Sequence, residues 1–173
     1  MPIMACDLPA GTALDQAMLA HADFRDTFSV RLSQPGRPPA ALFVAIFGHR
    51  PWWMKMVLIA RHAIGSAFGL ASSRPSDILS VTAGANPGQG GSIGGWPLFW
   101  LDDQELVAGR DNRHMDFRLS LMTIDRATEQ DLVVSTLCRT HNRFGRLYLA
   151  AIIPFHRWGL RLLVRRARAA GRL

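Results

Sequence analysis

The chain has 173 residues, 49% of them hydrophobic, with 20 Lys and Arg against 13 Asp and Glu for a formal charge of +7. That length suits one ordinary domain with a real core, and the apolar fraction excludes a disordered or collagen-like chain. The two cysteines, Cys6 and Cys138, are too few and too far apart for a disulfide scaffold or a C-x-x-C site, and they fit a reducing cytoplasm.

The first 30 residues lack a basic n-region and carry Asp7 and Asp15 where a signal peptide needs unbroken apolar character, so export is not expected. Residues 11–22 place Leu14, Met18 and Ala22 at helical spacing, and FRDTFSVRL (24–32) shows the period-two pattern of a half-exposed strand. QPGRPP (34–39) breaks the chain before AALFVAIFG (40–48), a short apolar element, and Pro51 then opens a helix over 51–69 that completes a helical hairpin. The segment 52–70 is long enough to cross a bilayer, but Lys55, Arg61 and His62 interrupt it at about 2.5 to 3.5 kcal/mol per charge at a helix centre. A buried or interfacial helix is expected there.

SSRPSD (72–77) ends the hairpin and ILSVTAG (78–84) resumes alternation. GANPGQGGSIGG (84–95) is rich in glycine, yet Ile93 stands where a dinucleotide fingerprint needs its third glycine and no GK[ST] follows, so a turn or a lid is left. Strands are expected at WPLFWL (96–101), ELVAG (105–109), HMDFRLSLMTI (114–124) and DLVVSTLCRTH (131–141), with DRATEQ (125–130) as a turn. Residues 143–169 read as a helix with Pro154 as a possible break. A strand, two helices, an antiparallel meander and a long terminal helix make an α+β domain with helices over one sheet face.

On strand 114–124 the period puts His114, Asp116, Arg118 and Ser120 on one side and Met115, Phe117, Leu119 and Leu121 on the other. Asp116, roughly 6.5 to 7 Å along the strand from His114, could orient the imidazole as a base, and Arg118 could bind an anion or pair with Asp116. A solvated charge ladder is the plainer alternative. His141, Asn142, Arg146 and Tyr148 cluster where the last strand meets the terminal helix, a common pocket rim, and Asn142 also suits a helix cap. His156, Trp96 and Trp158 fit either a core or the lining of an apolar slot. No His pair at i, i+4 and no H-E-x-x-H occurs, so no metal is expected; no G-x-S-x-G occurs, so a Ser-His-Asp nucleophile is unsupported; and no cofactor is expected.

Charge is placed unevenly. Residues 146–173 hold seven arginines and no acid, while the rest of the chain cancels to zero. Arg157, Arg161, Arg165 and Arg168 form one helical stripe, suited to an anionic membrane surface or simply to water at a helix end. Nucleic acid is disfavoured, because the arginines are not interleaved with stacking aromatics on a sheet.

Three stretches, PWW leading to FGL (51–53, 68–70), ELVAGRDNRHMDFRLSL (105–121) and THNRFGRLYLAAIIPFH (140–156), together resemble the bacterial domain-of-unknown-function family 2867 over about residues 24–168. That family looks related to the START-like, helix-grip proteins, the polyketide cyclase and lipid-transport superfamily. The resemblance implies a START-like domain over 1–173 with its core at about 24–168. Its curved antiparallel sheet would grip a long C-terminal helix around a hydrophobic cavity, with a helical hairpin after the first strand. It carries no reaction, and makes His114, Asp116, His141, Asn142, Arg146, Tyr148 and His156 site candidates. The expectation is a cytoplasmic binder of a small hydrophobic or amphipathic molecule, contacted by Arg118, Asn142, Arg146, His156, Trp96 and Trp158. Two alternatives stand beside it. One is a cyclase, isomerase or hydratase using His114 with Asp116, or His141 with Tyr148. The other is a protein peripheral to the inner face of the membrane through its arginine-rich helix.

Overall fold

A computed structural model describes residues 3–49, 91–127 and 129–173. The helix expected over 51–69, the turn at 72–77, the strand at 78–84 and the glycine run up to residue 90 lie outside the described residues. The described elements are β1 Met4–Ala5, α1 Gln16–Ala20, β2 Phe24–Arg31, α2 Pro39–Phe47, β3 Ser92–Ile93, β4 Trp96–Leu101, β5 Glu105–Arg110, β6 Met115–Arg126, β7 Glu129–Thr140 and α3 Arg143–Ala169. The strands form one open sheet in the order β1-β2-β7-β6-β5-β4-β3, and every neighbouring pair is antiparallel. The fold is α+β with a helix-grip-like arrangement, as the element order implies.

Alternation decides which residues meet. Phe28 and Val30 on β2, Leu106 and Ala108 on β5, Leu119 and Leu121 on β6, and Leu132 and Val134 on β7 share one face. They form the main core with Leu42, Phe43 and Ile46 of α2 and with Leu160, Leu163, Val164 and Ala167 of α3. Each large aliphatic side chain so buried contributes roughly 1.5 to 3 kcal/mol.

The opposite sheet face is covered too, in part. Val107 and Leu137 pack there against Leu14, Met18 and Leu19 from the α1 region, so helices do not lie on one face alone. The expected helix over 11–22 shortens to Gln16–Ala20 for a local reason. The buried carboxylate of Glu105 accepts from the Thr12 hydroxyl at 2.7 Å and the Ala13 N–H at 2.6 Å, which holds that stretch out of helical geometry. Asp15 then caps α1 by accepting from the Ala17 N–H at 2.8 Å.

Of the glycine-rich run, the described end is a tight hairpin. Ile93 pairs with Trp96, and the two residues between them, Gly94 and Gly95, both have positive φ (55° and 74°), as a two-residue turn of this hand requires. Pro154 does not break α3, which runs unbroken for 27 residues. Pro154 and Ala150, whose carbonyl loses its donor, are both on the exposed side, where water can satisfy that oxygen.

Candidate functional site

The junction of β6, β7 and α3 gathers most of the polar motif residues. Asn142 caps α3: its Oδ1 accepts from the Gly145 N–H at 2.9 Å. That fixes the amide orientation, so its Nδ2 donates toward the His114 Nδ1 at 2.9 Å and the Arg113 carbonyl at 3.3 Å. In this arrangement the proton of a neutral His114 ring sits on Nε2. The His114 carbonyl accepts from the His141 N–H at 2.9 Å, and its ring meets Phe144 edge-on at 5.0 Å. A Cβ on Gly145 would lie 2.1 Å from that same carbonyl, so only glycine allows the first turn of α3 to sit so close. Phe144 in turn stacks on Tyr148 at 6.4 Å. His114 is thereby a joint between strand and helix.

The pairings differ from the two expected. Asp116 faces His141, Oδ2 to Nε2 at 2.9 Å, and not His114. The register explains it: Asp116 lies opposite Arg139, and His141, just past the end of β7, is two residues further along on the same side, within diagonal reach across the strands. Tyr148 stacks with Phe144 and is not the partner of His141 in this pair. Arg118 pairs with Asp111 through two nitrogens at 2.5 and 3.1 Å, not with Asp116, and its guanidinium lies 3.4 Å over the Phe99 ring. Next along the same face, Ser120 donates to the buried Glu105. The polar side of β6 is therefore covered at its Ser120 end by the N-terminal segment and opens outward at Asp116 and His141. Nearby, Asp23 accepts from the Thr140 N–H at 2.6 Å and its hydroxyl at 2.8 Å. Chiefly because of that N–H, the Asp23 carboxyl titrates below the usual carboxylate range.

The other face forms a seam between the sheet and α3. The helix is tightly seated at both ends of this contact, with Leu149 and Leu160 each 6% exposed. Between them Ile152, Ile153 and His156 turn the same way as those two leucines, toward the sheet, yet stay half-buried. His156 Nε2 is 3.1 Å from the Thr136 hydroxyl, and its ring meets Phe24 edge-on at 5.8 Å and Phe117 at 6.5 Å. Phe117 continues into Trp96 at 5.5 Å, and Trp96 into Phe43 and Phe47 at 5.8 and 5.7 Å. Five residues beyond His156, Arg161 reaches Asp26 with two hydrogen bonds of 2.7 and 2.8 Å.

The remaining candidates are dispersed. Arg146 is exposed in the first turns of α3, and Trp158 is 59% exposed on the side away from the sheet. In the arginine stripe, Arg161 is taken by Asp26 and Arg157 lies 5.3 Å over the Phe24 ring, while Arg165 is exposed and Arg168 half-buried. A shallow cleft of about 390 Å³ lies at the C-terminal end of α3, lined by His49, Arg166, Ala169, Ala170 and Arg172. Among the described residues no cluster of three His, Cys, Asp or Glu could hold a metal ion.

Sequence reading passed over Glu105, Asp23, Asp26 and Gly145. Asp26 carried a signal, as an acid at an inward position of an otherwise apolar strand face. Gly145 carried one as a glycine three residues past a helix cap. A family model described as "Protein of unknown function (DUF2867)" matches residues 18–162. No curated protein and no solved structure matches the chain.

Proposed function

Starting from a chain that belongs to the DUF2867 family of proteins of unknown function, we propose that it binds a small amphipathic molecule in the seam between sheet and α3. The observation that carries this reading is the run Ile152, Ile153 and His156, which faces the sheet but is only half-buried between two fully seated leucines. Apolar walls from Phe117 and Ile153 suit a hydrocarbon or aromatic body, and the His156–Thr136 pair supplies polar groups to orient a ligand headgroup. The helix-grip-like layout is in keeping with kinship to START-like proteins, which is part of the same proposal. An acid–base enzyme is the weaker reading, because the Asp116–His141 pair lies on the sheet face away from this seam.

The test is thermal melting of the full chain with medium-chain fatty acids and phenolic aromatics, followed by native mass spectrometry of any that act. At a ligand concentration about 100 times its Kd, stabilisation of about 2.7 kcal/mol is expected. Ile153→Trp, which fills the seam, should abolish the response while the variant still melts cooperatively. If no probe raises the melting temperature, or if the variant responds like the wild type, the reading is lost.

A further inference from the structure

We propose that the outward ridge of α3 lies against an anionic lipid surface. Leu147, Phe155 and Trp158 are 72%, 69% and 59% exposed, and with Ala151 they recur at intervals of four, four and three. That spacing sets all four opposite Leu149, Leu160 and Leu163, which seat the helix on the sheet. A single exposed apolar side chain needs no explanation, but a ridge of them over three turns does.

Charge selects the occupant. No Asp or Glu follows Asp131 in the sequence, whereas Arg143, Arg146, Arg157, Arg165 and Arg166 are exposed on α3 around and beyond the ridge. A second copy of the chain seated there by two-fold symmetry would bring the arginines of one copy against those of the other, like charge against like. A bilayer carrying acidic headgroups matches a broad cationic field without shape complementarity, and Leu, Phe and Trp suit the boundary between headgroups and acyl chains. By length and composition α3 could also cross a membrane, with 28% of its apolar window buried. Its ties to the sheet, Arg161 to Asp26 and the close Gly145–His114 approach, instead hold it along the surface. The ridge and the seam occupy opposite sides of α3, so this proposal and the ligand-binding reading fail separately.

The experiment is co-sedimentation of the full chain with vesicles of phosphatidylcholine alone and of phosphatidylcholine mixed equally with phosphatidylglycerol. Binding at least about tenfold tighter to the anionic vesicles is expected, weakening as salt is raised. Phe155→Glu, and separately the pair Arg165→Glu and Arg166→Glu, should each weaken it by about tenfold or more with the melting temperature nearly unchanged. Should Phe155→Glu fail to fold, a polarity-sensitive dye attached through Phe155→Cys in a Cys6→Ser chain must shift to the blue on anionic vesicles. Equal binding to both vesicles, variants that bind like the wild type, or an unshifted dye each overturn the proposal. So does a concentration-dependent dimer that Phe155→Glu dissolves, which would give the ridge to a second copy.

Discussion

At Gly145 a missing side chain does what no other residue there can. The first turn of α3 closes onto the His114 carbonyl, and the Cβ of an alanine would fall 2.1 Å from that oxygen. The obstacle is backbone on both sides, so neither partner can swing away. Gly145→Ala is therefore expected to destabilise the protein by about 2 to 4 kcal/mol in urea unfolding, although alanine is the better helix former. A change below about 0.5 kcal/mol would show that the contact relaxes freely. Asp23 works at the same scale through charge. Its folded-state pKa is lowered, first by the Thr140 N–H, so its contribution is complete above the unfolded value of about 4 and is lost as pH falls through the lower folded value. Asp23→Asn should thus lower stability at neutral pH and make almost no difference in strongly acidic buffer. Paired denaturation curves at the two pH values check the sign.

Between elements, an ion pair set into an apolar contact helps to attach α3 to β2, beside the His156 and Arg157 contacts with Phe24. The Asp26 side chain is 9% exposed and that of Arg161 25%, and the guanidinium also lies 4.7 Å over the Phe28 ring. Removing the acid alone leaves a cation short of its partner in a half-buried place. Asp26→Ala should cost about 1 to 2 kcal/mol, a figure reduced because solvent still reaches Arg161. Adding Arg161→Met to it should recover part of that loss, since no uncompensated charge is left. Chemical denaturation of the two single variants and the double closes the cycle, and strictly additive losses would mean the pair is not coupled.

Across the whole molecule, the meander was legible because period-two patterning is local: β4 to β7 fall within a few residues of the sequence expectation. The long α3 was legible as well, and only its supposed break was not, since whether Pro154 is tolerated depends on which side of the helix meets water. Side-chain pairing was the illegible part. That Asp116 turns to His141 and Arg118 to Asp111 depends on cross-strand register and on a loop returning beside its own strand, neither of which follows from spacing along one strand. The cover of the second sheet face was hidden for a related reason. It hangs on Glu105, a buried acid that satisfies a segment more than ninety positions away in the chain.

Among the described residues, both borders of the sheet end in strands of only two residues, β1 and β3. Very short border strands are one means by which a sheet avoids edge-to-edge pairing, and β1 meets β2 at just Ser29 and Phe28, with one further bond from the Cys6 N–H to the Thr27 carbonyl. A protein that carries a cationic, partly greasy helix on its outside has reason to deny its neighbours a template for fibrils. The brevity of those marginal strands would let the proposed lipid contact of the helix form without inviting the sheet to coagulate.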